Sequence, residues 1–213
     1  PYTLDIFLNV QKMKNIKEII NLDADPFDLF LEWFREAKKS EINDPNAMCL
    51  STVSKDQRPS SRMVLMKSID SKGLIFNTNL KSKKSNEILK NKNVSLNFHW
   101  KSIDKQVRIE GKAIEIKKIQ ADYYFNNRPK GSKVGAWASE QSQPLDSMNE
   151  LIERVKRFSI KFRGKKIPRP KYWSGFLVIP SLFEFWQGRE FRLHERVQYT
   201  KYRNKWESTR LNP

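Results

Sequence analysis

Asp25-Pro26 is followed by Phe27, Phe30, Leu31 and Phe34, apolar positions at the three- and four-residue intervals of a helix. That spacing lays one apolar stripe along a helix running from Pro26 to about Ser40. Asp25 serves as N-cap, and Pro26 sits in the first turn, where its missing N–H has no partner to lose.

From Ala47 onward the period shortens to two. Runs rich in β-branched and aromatic residues occur at Met48–Val53, Arg62–Lys67, Leu74–Thr78, Val94–Trp100 and Gln106–Ile116. Turn sequences such as Lys55-Asp56-Gln57-Arg58-Pro59 and Asp70-Ser71-Lys72-Gly73 separate them, so neighbouring strands pair as antiparallel hairpins. A short helix, Ser82–Asn91, capped by Ser82 or Ser85, interrupts the strands. Gln120–Asn127 and Leu145–Phe162 read as further helices, and Phe125 and Phe158 are expected in the core. Ile167-Pro168-Arg169-Pro170 ends the helical stretch, and Gly175–Ile179, Phe183–Trp186, Arg192–Tyr199 and Lys205–Thr209 complete the sheet. The expected fold is α+β and mainly β, a small antiparallel barrel decorated with helices. Residues 1–24 read as an N-terminal segment with room to be flexible, and 25–213 as one domain.

Composition narrows the class. A chain of 213 residues with 38% hydrophobic and 12% aromatic side chains can bury a full core, which excludes a disordered protein. The longest apolar runs, such as Gly175–Ile179, fall far short of the roughly 20 residues of a membrane helix. The stretch Pro1–Val10 carries Asp5 and no basic leader, so it makes a poor signal peptide. Cys49 is the only cysteine, which excludes an intrachain disulfide, and a cytoplasmic location is expected.

Charge changes the picture more. Lys and Arg number 41 against 24 Asp and Glu, a net +17 that favours an anionic partner, whether nucleic acid, an anionic membrane or a small phosphate. The basic residues are spread along the whole chain, so composition alone names none of these. Gly-rich phosphate loops of the Rossmann or Walker type are absent.

Candidate chemistry concentrates near the C-terminus. If Arg192–Arg196 is extended, Arg192, His194 and Arg196 share one strand face, and two guanidiniums converge with an imidazole on an anionic or hydrogen-bond-accepting ligand. Trp186-Gln187-Gly188 just before offers a flat surface for an aromatic ring. Lys83 and Lys84 near the start of the Ser82 helix suit a phosphate, helped by the helix N-terminal amides. Arg62 and Lys67 are five residues apart and point to opposite faces of a regular strand, unless a bulge intervenes or Lys67 lies past the strand end. His99 reads as structural, Cys49 as core, and Asp44 before Pro45 as a turn-former first and an acid/base candidate second. With two His and one Cys, no metal site is expected.

The string Phe183-Glu184-Phe185-Trp186-Gln187-Gly188, with Arg192-Leu193-His194-Glu195-Arg196, resembles the C-terminal signature of the pyridoxine/pyridoxamine 5′-phosphate oxidase family. Arg62–Lys67, Thr78-Asn79, Lys105-Gln106-Val107, Asn127-Arg128-Pro129, Gly135-Ala136-Trp137, Gln141-Ser142 and Arg210-Leu211-Asn212-Pro213 support it in family order. The resemblance implies an antiparallel split β-barrel homodimer that binds FMN at the subunit interface, uses O2, and oxidises pyridoxamine or pyridoxine 5′-phosphate to pyridoxal 5′-phosphate. By motif, Arg62, Met63, Val64, Leu65, Met66, Lys67, Asn77, Thr78, Lys83, Lys84, Gln106, Gln141, Ser142, Trp186 and Arg196 would surround FMN. Lys67, Tyr124, Arg128 and Ser132 would hold the substrate phosphate, and Arg192, Leu193 and His194 would lie over the substrate ring, with Arg192 and His194 as the catalytic pair.

Three features depart from the family pattern. Asn77 stands where an aromatic residue is usual, Lys83 stands where Arg is usual, and the N-terminal Arg-x-x-Tyr element has only Asn9 and Lys12 loosely in its place. Two other readings remain: a split-barrel flavoprotein with a different substrate, and a basic nucleic-acid-binding β-barrel favoured by the charge and by Trp100 and Trp173 as exposed stacking surfaces.

Overall fold

The computed structural model describes residues 18–213. Asn9 and Lys12 lie outside the described residues.

The first helix, α1, spans Pro26–Ser40, and Asp25 caps it by accepting the Phe27 N–H at 2.8 Å. Its apolar stripe packs Phe30 against Phe98 and Trp100, and sets Trp33 edge-on to Phe185. Phe30 is fully buried, so this face contributes about 1.5–3 kcal/mol for each large side chain.

Five strands follow: β1 (Ala47–Val53), β2 (Pro59–Asp70), β3 (Gly73–Asn79), β4 (Asn93–Trp100) and β5 (Lys105–Glu115). The pairs β1–β2, β2–β3 and β4–β5 are the expected hairpins, whereas β4 pairs with β1 rather than with its neighbour β3. Helix α2 (Lys83–Lys90) lies between β3 and β4. Three helices come next: α3 (Lys118–Asn126), α4 (Lys130–Ala138) and α5 (Met148–Lys161). The chain ends in β6 (Trp173–Gln187), β7 (Glu195–Tyr202) and β8 (Lys205–Leu211).

The sheet order is β3-β2-β1-β4-β5-β6-β7-β8, and a further β3–β6 pairing closes six strands into an antiparallel barrel. The long strand β6 makes both the closure and the split. Its first part pairs with β3 from Trp173 to Val178, and its last part, Leu182–Gln187, pairs with β7 outside the barrel.

Several expectations need correction. Strand β6 is continuous where two strands were expected around Pro180, because the missing N–H falls at a bulge: the register with β5 shifts between Glu110 and Gly111. A Cβ on Gly111 would lie 2.2 Å from the Ile179 carbonyl oxygen, so the two backbones approach this closely only with glycine there. Helix α4 was not anticipated, since Gly131 and Gly135 mask its periodicity. Trp100 and Trp173 are 2% and 4% exposed and belong to packed clusters rather than to a stacking surface. His99 faces solvent, and Cys49 sits half-buried on the outer face of β1 between the inward Met48 and Leu50.

Ile20 is buried and joins the main core, so packing begins before the Asp25 cap. Among the described residues no helix is long and apolar enough to cross a membrane, and no group of His, Cys, Asp and Glu could hold a metal.

Candidate active site

The site originates in a mismatch of strand pairing. Strand β2 pairs with β3 only from Met66 to Asp70, with the register shifting between Met66 and Ser68. On its other edge β3 pairs with β6 throughout, from Leu74 with Val178 to Asn79 with Trp173, and beyond the bulge β6 is its only strand partner. Residues 60–65 of β2 keep only β1 as a strand partner, so one backbone edge of this stretch is left free. A cavity of about 970 Å³ opens along that edge.

This geometry accounts for a contiguous run of lining residues. Ser60, Ser61, Arg62, Met63, Val64 and Leu65 all border the cavity, because a strand edge offers its N–H and C=O groups whichever face each side chain takes. It also resolves the spacing of Arg62 and Lys67. The bulge falls at Lys67, and both residues line the cavity. Met66 differs from its neighbours: its side chain is buried in the core and is not part of the wall.

The wall carries five cationic side chains, Arg62, Lys67, Lys83, Lys84 and Arg128, and no carboxylate. Their environments differ. Arg62 is neutralised from behind, donating to Thr52 Oγ1 at 2.6 Å and Ser60 Oγ at 2.6 Å and lying 3.4 Å from Glu87. Glu87 is only 6% exposed. Burial pushes its carboxyl up, but hydrogen bonds from Thr52 and Ser60 and the charges of Arg62 and Lys83 outweigh that and hold it below its ordinary value.

Lys84 is 8% exposed, yet its Nζ donates only to neutral oxygens: Thr78 Oγ1 at 3.3 Å, Ser82 Oγ at 3.4 Å and Gln141 Oε1 at 3.3 Å. Burial lowers its pKa, and the Arg62 charge lowers it further. Among the described residues no carboxylate pairs with it. A buried ammonium without a counter-charge is costly, and a bound anion removes that cost. Helix α2 starts at Lys83 behind this group; Ser82 is its N-cap residue by backbone, with no side-chain cap bond. Asn77 Oδ1, on the same wall, is buried without a hydrogen-bond partner in the described structure.

Arg128 forms the second cationic group. It lies between α3 and α4, stacks over the Trp173 ring at 4.9 Å and donates to the Ser132 carbonyl at 3.1 Å. Burial lowers its pKa, and again no carboxylate compensates it among the described residues. Lys67, Tyr124 and Ser132 line the same space, with Tyr124 Oη 2.7 Å from Ser68 Oγ. Thr78, Gln141 and Ser142 complete the expected residues that the cavity gathers.

Gln106, Trp186, Arg196, Arg192, Leu193 and His194 are not in this wall. They form a second group on β5, β6, β7 and the loop between β6 and β7, in which Gln106 pairs with Trp186 and Trp186 with Arg196. Here the expected strand face is wrong. Strand β7 begins only at Glu195, Glu190–Arg192 is an irregular turn, and Phe191 and Arg192 have φ of +57° and +59°. Arg192, His194 and Arg196 therefore do not alternate along one strand. Arg196 turns to the buried Glu184, donating from Nη2 at 2.7 Å and from Nε at 3.0 Å. His194 packs on Trp186 with ring centroids 4.6 Å apart, and its Nδ1 accepts the Arg189 N–H at 3.2 Å.

Glu87 and Trp173 are the residues sequence reasoning missed. The four-residue step from Lys83 to Glu87 on one helix face was a legible signal for the first. Nothing local marks Trp173 as the platform under Arg128.

Fold and site together define a split-barrel protein with a cationic cavity suited to phosphorylated ligands. Residues 34–160 match the family model described as pyridoxamine 5′-phosphate oxidase, and residues 173–213 match the pyridoxine 5′-phosphate oxidase C-terminal dimerisation region. The chain is 49% identical to the pyridoxine/pyridoxamine 5′-phosphate oxidase of Gluconobacter oxydans over 92% of its own length and 98% of that protein. It is 46% identical to the one from Brucella abortus, over 95% and 98%. The crystal structure of PhzG from Burkholderia lata in complex with tetrahydrophenazine-1-carboxylic acid superposes with a TM-score of 0.87 at 28% identity, covering 93% of this chain and 99% of that one. The chain belongs to the pyridoxine/pyridoxamine 5′-phosphate oxidase family.

Proposed function

We propose that the chain is an FMN-dependent oxidase that converts pyridoxamine or pyridoxine 5′-phosphate to pyridoxal 5′-phosphate, with O2 as electron acceptor and H2O2 as product. The observation that carries this reading is the cavity with two cationic groups lacking carboxylate partners, Lys84 on one element and Arg128 on another. A cofactor and a substrate that each bring a phosphate would compensate both.

The donor set fits FMN. Lys84, with Lys83 and Thr78, would hold its phosphate at the start of α2, and Asn77 Oδ1 would accept from a ribityl hydroxyl. The free edge of β2 at Met63–Leu65 would hydrogen-bond the polar rim of the flavin ring. When bound, FMN supplies the hydride acceptor and is reoxidised by O2. Arg128, Lys67, Tyr124 and Ser132 would fix the substrate phosphate and so place the reacting carbon. Because His194 Nδ1 is occupied by the Arg189 N–H, Nε2 is the ring nitrogen that would face the substrate's amine or hydroxyl and orient it by a hydrogen bond.

In this reading Gln106, Trp186, Arg196, Arg192 and His194 reach the cavity from a second copy, making a homodimer with composite sites. Met63 and Leu65 on the cavity wall are 63% and 37% exposed, as expected of residues that a partner covers. A cytoplasmic location agrees with the unpaired thiol of Cys49.

The test is to purify the protein, supply FMN, record the visible spectrum and add pyridoxamine 5′-phosphate under air. Flavin absorbance with stoichiometric pyridoxal 5′-phosphate and peroxide is expected. A colourless protein after FMN addition would overturn the reading. Bound flavin without turnover would favour a different ring substrate, a possibility raised by the likeness to PhzG.

A further inference from the structure

The loop Gly188–His194 carries two consecutive non-glycine residues in the left-handed region, Phe191 and Arg192. Such backbone persists only when its surroundings over-determine it. The start of the loop is held by Asp104: the Gly188 N–H donates to the Asp104 carbonyl at 2.8 Å, and a Cβ on Gly188 would lie 1.8 Å from the Asp104 carboxylate. The other end is held by a single carboxylate.

Glu195, whose side chain is 11% exposed, accepts from three directions. Arg189 Nη2 donates to it at 2.7 Å from within the loop. The backbone N–H groups of Ile19 and Ile20 donate at 3.0 Å from the segment that leads into α1. Arg210 Nη1 approaches at 3.3 Å from β8, and Arg210 also pairs with Glu18. Burial pushes the Glu195 carboxyl up, but the hydrogen bonds from Ile20, Arg189 and Ile19 and the Arg189 charge outweigh it and hold the group ionised. Arg189 is gripped twice, by Glu195 through its guanidinium and by His194 Nδ1 through its backbone N–H.

We propose that Glu195 is a positioning residue that locks the segment at residues 18–20 and the strained 188–194 loop into one unit, and so fixes Arg192 and His194 for the substrate ring. The inference rests on the proposed oxidase reading for its kinetic consequence, but not for its structural one. Glu195 itself touches no reacting atom. Removing its charge would loosen the link between the loop and the segment at 18–20, let Phe191 and Arg192 relax toward ordinary backbone, and open residues 18–20 in the same event.

The experiment compares Glu195→Gln and Glu195→Asp with the native chain, and Glu36→Gln serves as a control that breaks a comparable ion pair, that with Lys105. Amide hydrogen exchange of the FMN-free protein is expected to speed up about tenfold or more at both 18–20 and 189–194 in Glu195→Gln, and at neither in the control. In the FMN-loaded enzyme, KM for pyridoxamine 5′-phosphate is expected to rise about tenfold in Glu195→Gln, with FMN affinity changed less than about twofold; Glu195→Asp is expected to recover part of the loss. Faster exchange at 18–20 with 189–194 unchanged would overturn the proposal. So would an unchanged KM in an active enzyme, or loss of FMN from the variant. A native protein that proves inactive would count against the oxidase reading and leave the exchange experiment to decide the clamp.

Discussion

Replacing Lys84 by methionine has two effects of opposite sign. Met keeps the length of the buried stem and removes an ammonium that has only neutral oxygens around it. Without ligand, the variant loses the desolvation cost of an uncompensated charge, and stability is expected to rise by about 1 kcal/mol. For a chain of this size that corresponds to an increase in Tm of roughly 2–4 °C. With FMN, the variant loses a charge-assisted hydrogen bond to phosphate worth about 1.5–3 kcal/mol, which weakens Kd roughly 10- to 150-fold. Fluorescence quenching of FMN by the flavin-free protein measures the second effect, and a thermal melt measures the first. Riboflavin, which lacks the phosphate, supplies the control and should lose less than about twofold. Equal losses for FMN and riboflavin would refute the assignment of Lys84 to the phosphate, and a fall in Tm without ligand would refute its reading as an uncompensated buried charge.

Other substitutions separate the remaining roles. Arg128→Ala is expected to raise KM for pyridoxamine 5′-phosphate by about tenfold or more in steady-state assays while the FMN titration stays unchanged, since Arg128 is held by Ser132 and Trp173 and Lys84 by Thr78, Ser82 and Gln141. Glu184→Ala leaves Arg108 and Arg196 without the carboxylate each approaches within 2.7 Å, and should cost about 3 kcal/mol in urea unfolding. Because the folded pKa of Glu87 is lowered, its ionisation supplies stability that is complete above its ordinary value of 4.5 and is lost as pH falls through the lowered folded value. Glu87→Gln should flatten that part of the acid unfolding profile, and an unaltered slope would show that Glu87 does not titrate on unfolding. Phe30→Ala, at a fully buried position between α1 and β4, is expected to cost about 3–5 kcal/mol.

Local chemistry made much of the architecture readable. The cap and stripe of α1, the five early strands and the order of the last strands follow from side-chain period and turn residues, because each is decided within a few residues of chain. Elements whose local signal is contradicted by tertiary context were not readable. Pro180 looked like a break, and only the facing bulge at Gly111 allows β6 to continue past it. Arg192–Arg196 alternates like a strand, yet Phe191 and Arg192 are left-handed, in a loop whose ends meet partners distant in sequence: Asp104 at Gly188, and Ile19 and Ile20 at Glu195.

By itself the sequence determined the family, the β-rich helix-decorated class and the cation-rich motifs, since these reside in residue types and short-range periods. The tertiary structure alone decided where a cavity opens. Strands β2 and β3 part at the bulge around Lys67, which frees the β2 edge from Ser60 to Leu65, while β3 keeps its other edge on β6 along its length. The same structure decided what surrounds each cation. Arg62 and Lys84 are both basic side chains near one helix, but Glu87 neutralises the first and leaves the second without a counter-charge, a difference set by contacts across the fold.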